Sequence, residues 1–242
     1  MLWDILKSGI GLHGEPFTFH EDGLCTTHNS DFCKDSRFLQ AYNEGRKTNS
    51  WKEWSLRWRA YLYCCFAEQS FGLVGDFVEC GVNLGGNARM LIEYLPFGGN
   101  KKRFFLYDTF EGFDPSLLFK KERRSIYKYY KYPSSFAAVE KTFQKYPFVR
   151  LVKGSVPSSL EILAPKKVCF LSIDMNCVKP EIAAFEFFWP KLTAGAVVLL
   201  DDYGFRRHLN QKVAFDALSR RLHFNITQLP TGQGLIKKPL NS

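Results

Sequence analysis

The sequence predicts an α/β fold: a mostly parallel β-sheet with helices on both faces, preceded by an N-terminal helical extension. From Gly75 onward, short and almost continuously apolar segments alternate with segments of helical periodicity. Such strands are typical of a parallel sheet covered on both faces. Each of the first five apolar segments also ends at a glycine or a polar side chain, and the carboxyl ends of the strands are where an open α/β sheet binds its ligands.

Residues 1–70 are expected to form the extension, and residues 71–242 the main domain. Up to about residue 48 no period is sustained, so this stretch is expected to be irregular. In the following NSWKEWSLRWRAYLYCCFAEQ, Ser50 and Glu53 have the spacing of a capping box, and apolar residues recur every three or four positions. This pattern predicts an amphipathic helix. Its aromatic stripe is most simply a packing face, with a lid, a dimer contact or a substrate shelf as alternatives.

The elements of the main domain follow in order along the chain. Five strands are predicted in GDFVECGV, KKRFFLYD, FVRLVKGS, KKVCFLSIDMN and GAVVLLDDYG. Helices are predicted in NARMLIEYL, in PEIAAFEFFWPKL, where Pro180 suits a first turn, and in NQKVAFDALSRRL. Two closing strands, in FNITQLP and GLIKK, are joined by a turn at TGQ.

The composition limits the class of protein and its location. The chain has 242 residues, 45% of them hydrophobic, which is enough for one large domain with an extension. No segment has the roughly 18 apolar residues needed to span a membrane, and the N-terminus lacks the pattern of a signal peptide. The seven cysteines follow no metal-binding spacing. We therefore expect reduced thiols and a cytoplasmic location.

The formal charge of +9 is compatible with nucleic acid, anionic lipid or an anionic substrate. Nucleic acid is not favoured, because the sequence has neither an NPPY-type base-flipping motif nor an RNA-binding module. The basic, tyrosine-rich segment 119–132 is interpreted as a lid or as a contact for an anionic acceptor, and a solvated surface remains the simpler alternative.

The first strand end, VECGVNLGG, is the candidate cofactor loop. Gly81, Gly85 and Gly86 would let the backbone approach a ligand closely, with Asn83 in the same turn, although a purely structural role explains the glycines equally well. The spacing is GxxxGG rather than the GxGxxG of nicotinamide-binding oxidoreductases, which argues against that class. Glu79 requires a donor partner inside a strand, and a ligand ammonium group would provide one.

The second and third strand ends suggest a nucleoside pocket. Asp108 stands where a carboxylate commonly accepts hydrogen bonds from both ribose hydroxyls, and a helix N-cap is the alternative. Thr109 and Phe110 would line the pocket, and Ser155 would contact the adenine edge.

The segments GDFVECGVNLGG, LYDTFEGF, LSIDMN and AGAVVLLDDYG, in this order and spacing, resemble the macrocin-type O-methyltransferases over roughly residues 70–240. This resemblance implies a Rossmann-like class I methyltransferase fold, with a seven-stranded sheet whose last strand is antiparallel. It implies S-adenosylmethionine as the cofactor and a hydroxyl of a sugar, glycan or glycosylated small molecule as the methyl acceptor. A nucleic-acid methyltransferase and a non-catalytic domain of the same fold remain the alternatives.

The resemblance also implies that Asp174, Asp201 and Asp202 converge as hard oxygen ligands for Mg²⁺, which would lower the pKa of the acceptor hydroxyl. The family has a second acid where this chain has Asn176, so metal binding is expected to be weaker or absent. The alternative for the acidic pair is a loop cap with a salt bridge to Arg206 or Arg207.

The general base is left open between several residues. Lys179, His208, Asp174 and Asp201 are the candidates, and for His208 a solvated surface position is the simpler expectation. The candidates for acceptor contacts are Tyr203, Thr231 and Gln233, although the turn that contains the last two could be a plain hairpin.

Overall fold

The computed structural model describes residues 14–129 and 133–240. Its central sheet has seven strands in the order β5-β4-β3-β6-β7-β9-β8. Their bounds are β3 Asp76–Cys80, β4 Phe104–Asp108, β5 Val149–Lys153, β6 Val168–Ile173, β7 Leu192–Leu200, β8 Thr227–Gln228 and β9 Gly234–Lys237. Only β9 is antiparallel to its neighbours, β7 and β8. The predicted mostly parallel sheet with an antiparallel last strand is confirmed.

Seven α-helices are described. They are α1 Ser36–Arg46, α2 Arg57–Phe71, α3 Gly86–Tyr94, α4 Lys120–Tyr129, α5 Phe136–Phe143, α6 Val178–Phe188 and α7 Leu209–Leu222. The side chains of the first three helices and of α5 pack on one face of the sheet. Those of α6 and α7 pack on the other face. The strands are apolar on both sides because both faces are covered.

The extension is more regular than its sequence pattern indicates. A short hairpin, β1 Phe19–Glu21 with β2 Leu24–Thr26, precedes α1. The side chain of Asp35 caps α1 by accepting a hydrogen bond of 2.6 Å from the amide of Phe38. The prediction that residues up to 48 are irregular is therefore wrong for the described part. Residues 1–13, which belong to the same prediction, lie outside the described residues.

The second helix begins later than predicted. It starts at Arg57, after a series of turns that includes Ser50 and Glu53. The predicted capping box is wrong, because the Ser50 hydroxyl accepts a hydrogen bond from the amide of Gly86, at the start of α3. A contact between distant parts of the chain takes the place of the local one.

The aromatic stripe of the extension packs within the chain. Trp58 lies against Phe19 and Phe32, with ring centroids 5.0 and 4.8 Å away. Tyr61 stacks on Phe32 at 4.5 Å. Trp54, by contrast, is 68% exposed and precedes the helix. Intramolecular packing therefore explains the buried part of the stripe.

Two properties of the described residues bear on the expected location. All seven cysteines are free thiols. No described helix is both long enough and apolar enough to cross a membrane.

Candidate functional site

The candidate site lies at the edge of the sheet where β3, β4, β6 and β7 end. These strands are parallel neighbours, so the residues that follow them meet along a single edge. The ends of β3 and β6 lie very close together at Gly81. There φ is +92°, and an added Cβ would lie 1.8 Å from the carbonyl oxygen of Asp174. A side chain would push β3 and β6 apart, which explains this glycine structurally.

The next two glycines are also explained by packing. An added Cβ at Gly85, where φ is +84°, would lie 2.5 Å from the ring of Phe143. One at Gly86 would lie 2.8 Å from Cβ of Ser50. Ser50 also holds the loop through its carbonyl oxygen, which accepts a hydrogen bond of 3.1 Å from the side-chain amide of Asn83. Ser50 of the extension therefore packs against the glycine-rich loop and forms hydrogen bonds with it.

Glu79 is the least satisfied carboxylate of the site. Its side chain is 1% exposed, and its Oε2 has no hydrogen-bond partner within the described part of the chain. Burial, with Asp108 and Asp201 nearby, raises the pKa of Glu79 well above its ordinary value. A buried carboxyl group without a donor is unfavourable by itself. It fits a ligand that brings a cationic donor.

Asp108, in contrast, accepts three hydrogen bonds from backbone amides. One carboxylate oxygen accepts the amides of Val82 and Asn83, at 2.6 and 2.9 Å. The other accepts the amide of Phe110 at 2.7 Å and lies 3.3 Å from the hydroxyl of Thr109, whose single hydrogen is donated to the closer carbonyl of Gly112. A carboxylate offers about four acceptor positions. Ribose hydroxyls would therefore have to replace one of these donors.

The remaining nucleoside candidates lie around this loop. Phe110 is 1% exposed, with φ of +56° and its ring 5.4 Å from that of Phe136. The hydroxyl of Thr109 also donates to the carbonyl of Gly112. Ser155 donates to a carboxylate oxygen of Asp114 at 2.9 Å. All three thus lie at the predicted edge, with their polar groups or rings already engaged by the protein.

Three carboxylates converge, as their positions after β6 and β7 predict. One oxygen each from Asp174, Asp201 and Asp202 lies within 4.8 Å of the other two. Burial, with Asp201 nearby and Arg59 acting in the opposite direction, raises the pKa of Asp202 to about 8. Asp202 Oδ2 is buried and accepts no hydrogen bond from the described residues. Asn176 lies beside the group and donates to Asp174 at 3.1 Å.

A cation from the extension enters this acidic cluster. The guanidinium group of Arg59 donates to Asp201 Oδ2 over 2.8 Å and to both oxygens of Asp22, at 2.8 Å each. The Arg59 side chain is 16% exposed. A salt bridge to Arg206 or Arg207 was the alternative to metal binding for the acidic pair; Asp201 forms one with Arg59, 142 residues earlier. No local pattern could indicate a contact over that separation.

The turn between β8 and β9 also contacts the acidic cluster. Thr231 donates to Gln233 at 2.9 Å, and Gln233 donates to Asp201 at 3.2 Å. Both side chains are buried. They therefore orient Asp201. Tyr203, the third candidate for acceptor contacts, turns towards α7 and donates to Asp216 at 2.5 Å.

The two predicted basic candidates differ in position. His208 is 8% exposed, with Nδ1 3.3 Å from Asp202 Oδ2 and 2.9 Å from the side-chain amide of Gln211. The expected solvated surface position is therefore wrong. Lys179 is exposed, with its ammonium group 5.2 Å from the centre of the Phe119 ring. The structure brings His208 to the acidic cluster and leaves Lys179 outside it.

Two buried glutamates were missed by the sequence analysis. Glu181 accepts the amide of Met175 at 3.1 Å, and burial with Asp202 nearby raises its pKa well above the ordinary value. Glu122 accepts the amides of Phe119 and Val178, at 2.7 and 2.9 Å, and so ties the start of the basic segment to the start of α6. Residues 130–132 of that segment lie outside the described residues. A lone acid in an otherwise basic stretch was the available signal for Glu122.

A cavity of only about 10 Å³ remains between α2 and the acidic cluster, and its lining includes Trp51, Arg59 and Asp201. A wider cleft, of about 580 Å³, lies at the opposite edge of the sheet and is lined by Lys101, Arg103 and Lys166 among others. It lies at the amino ends of the strands, away from the acidic residues, so it is not the site of the predicted chemistry.

The glycine-rich loop, the acidic strand ends and the antiparallel last strand are the features expected of a class I methyltransferase that uses S-adenosylmethionine. The model of the macrocin-O-methyltransferase family (TylF) matches residues 64–229. The chain belongs to that family, and it is an O-methyltransferase. No curated protein matches its sequence.

Solved structures share the fold. The O-methyltransferase NovP has a TM-score of 0.68 at 19% identity, over 83% of this chain and 88% of that one. The calicheamicin methyltransferase CalS11 has a TM-score of 0.58 at 15% identity, over 88% and 98%. The methyltransferase PaMTH1 of Podospora anserina, solved with S-adenosylhomocysteine bound, has a TM-score of 0.53 at 15% identity, over 84% and 88%. The predicted family, fold and reaction are confirmed.

Proposed function

We propose that this enzyme methylates a hydroxyl group of a sugar that is carried on a small molecule or a nucleotide. The single observation that carries the acceptor class is membership of the macrocin-O-methyltransferase family. Among its structural neighbours, CalS11 is described as a TDP-rhamnose 3'-O-methyltransferase. The expected cytoplasmic location and the homodimer remain predictions.

For the cofactor, we propose that Glu79 binds the ammonium group and that Asp108 binds the ribose. Glu79 fits this role, since its Oε2 is buried and has no donor among the described residues. Asp108 fits after a rearrangement of the loop, because backbone amides take three of its roughly four acceptor positions and a ribose offers two hydroxyls. When bound, S-adenosylmethionine supplies the methyl group. The loop and strand ends hold donor and acceptor together, which is the main contribution of the protein to such a transfer.

For the metal, we propose that Asp174, Asp201 and Asp202 are the ligands of a divalent cation. The donor set fits, because three carboxylate oxygens meet within 4.8 Å and oxygen ligands suit Mg²⁺. Asp202 Oδ2 supports the same proposal, because it is buried and accepts no hydrogen bond from the described residues, with His208 Nδ1 3.3 Å away. A cation there would lower the pKa of the acceptor hydroxyl.

For proton transfer, we propose His208 in preference to Lys179. His208 Nδ1 is 3.3 Å from Asp202, and burial lowers the pKa of His208. A neutral imidazole at neutral pH can accept a proton. Lys179, exposed beside Phe119, has no such path to the cluster.

The test is methyl transfer from radiolabelled S-adenosylmethionine to TDP-sugars and to glycosides, comparing the wild-type enzyme with Asp201→Asn. We expect Asp201→Asn to lower turnover by roughly two orders of magnitude or more, since a positioned catalytic group contributes that much. Calorimetry should show unchanged affinity for S-adenosylhomocysteine. If Asp201→Asn had the same turnover as the wild type, the proposal that the acidic cluster takes part in catalysis would be contradicted.

A further inference from the structure

We propose that Arg59 is an internal cation of the acidic cluster, which competes with a divalent metal ion for Asp201. The inference rests on the proposed metal site and adds a regulatory contact to it. Arg59 belongs to α2 in the N-terminal extension, so the extension would control whether the cluster is available to a metal.

The geometry places Arg59 within reach of the metal ligands. Its guanidinium group lies 2.8 Å from Asp201 Oδ2, an atom of one of the three converging carboxylates. It also lies 4.6 Å from the centre of the Phe205 ring, three residues past the acidic pair. The adjoining cavity of about 10 Å³ leaves little room for an additional ligand. A metal ion that binds this carboxylate would lie next to the guanidinium group and would compete with it for the same negative charge.

The charges explain why the contact forms. Three neighbouring carboxylates repel one another when ionised, and they are largely buried. Arg59 supplies a fixed positive charge, and its planar group bridges Asp201 and Asp22. A divalent cation would supply a second positive charge at close range, so the two cations exclude each other.

A neighbouring arginine provides the control. Arg57 pairs with Glu21, which adjoins Asp22 on the same hairpin, and it also holds the hairpin against α2. No hydrogen bond or ion pair of the described residues joins Arg57 to the acidic cluster. Arg57→Gln therefore weakens the attachment of the hairpin without removing the charge at Asp201.

The experiment measures Mn²⁺ affinity of the full chain by electron paramagnetic resonance and calorimetry, without cofactor or acceptor. We expect Arg59→Gln and Arg59→Met to bind Mn²⁺ roughly tenfold more tightly than the wild type, because a nearby like charge is removed. Arg59→Met keeps an unbranched side chain beside Phe205, which serves if Arg59→Gln does not fold. Arg59→Lys keeps the charge and should tighten binding less. Arg57→Gln should match the wild type.

The outcomes separate the two proposals. Mn²⁺ binding that tightens equally in Arg57→Gln and Arg59→Gln would overturn the competition and assign the effect to the hairpin. Equal affinities in all variants would also overturn the competition, while leaving the metal site standing. If neither the wild type nor any folded Arg59 variant bound Mn²⁺, both the metal site and the competition would fail. Loss of the tightened Mn²⁺ binding when Asp201→Asn is added to Arg59→Met would support the assigned ligand.

Discussion

Without a ligand, the carboxyl groups of this site differ in whether the protein itself supplies their hydrogen-bond donors. Arg59 satisfies Asp201, and Asp108 is satisfied by its own loop. Glu79 is a buried carboxyl group in β3 with an oxygen that accepts nothing from the described residues, and the same holds for Asp202 Oδ2. In a family that binds a cationic amino-acid cofactor, such a group is best understood as one that a ligand completes.

A first prediction concerns cofactor binding by Glu79. Glu79→Gln replaces an ion pair with a neutral hydrogen bond, so S-adenosylhomocysteine should bind about 1.5–3 kcal/mol more weakly, or roughly 10- to 100-fold. Isothermal titration calorimetry measures the change. The matched control is Glu122→Gln, which changes a buried glutamate that binds the amides of Phe119 and Val178 instead. Equal weakening by both variants would show that Glu79 acts only through stability.

A second prediction concerns pH. The pKa of Glu79 is raised in the folded state, so folded protein binds more protons than unfolded protein above the ordinary pKa. The stabilising contribution of this group is complete below about pH 4.5 and is lost as the pH rises towards the folded pKa. Glu79→Gln should therefore lose less free energy of unfolding between pH 5 and pH 8 than the wild type does.

Urea denaturation at several pH values measures these slopes. Asp174, Asp202 and Glu181 also have raised pKa values, so both proteins should become less stable as the pH rises. The comparison isolates Glu79 because only that group differs. Identical slopes in the two proteins would contradict the buried, protonated state of this residue.

At the scale of elements, the strands and most helices of the main domain were predictable, because their apolar runs and turns are local. The start of α2 was not. Ser50 and Glu53 have capping spacing, yet Ser50 serves α3 instead. The Ser50 hydroxyl forms a tertiary hydrogen bond instead of a local one. A single sequence does not indicate which of the two partners a hydroxyl will bind. The helix Ser36–Arg46 was missed although its buried residues Phe38, Ala41, Tyr42 and Gly45 have helical spacing, because two of the four are small and make the apolar face hard to see in the sequence. The two strands before it have only three residues each, too few to show an alternating pattern.

A third prediction tests the hydrogen bond between the Ser50 hydroxyl and the amide of Gly86. Ser50→Ala removes the acceptor for the amide of Gly86 and should lower the free energy of unfolding by about 1 kcal/mol, as the loss of a helix cap does. Chemical denaturation followed by circular dichroism provides the measurement. Thr142→Ala is the control, since among the described residues the hydroxyl of Thr142 donates to the carbonyl of Ala138 within α5. Similar losses in the two variants would argue against a capping role for Ser50.

At the scale of the whole molecule, parallel neighbouring strands explain why distant residues meet. The convergence of Asp174, Asp201 and Asp202 could be predicted from the family resemblance, and it arises because β6 and β7 are adjacent and end together. The contacts of Arg59 with Asp201 and Asp22 could not be predicted, because the packing of an extension against a sheet has no recognisable sequence motif. His208 was also expected in solvent, although the turn that precedes α7 buries it beside Asp202 and Gln211.

The most direct test of this account is a crystal structure of the enzyme with S-adenosylhomocysteine and Mn²⁺. We expect an anomalous peak bounded by Asp174, Asp201 and Asp202, the cofactor ammonium group at Glu79, and Arg59 moved off Asp201. A structure in which the cofactor binds but Mn²⁺ lies elsewhere, with the Arg59–Asp201 pair intact, would contradict it.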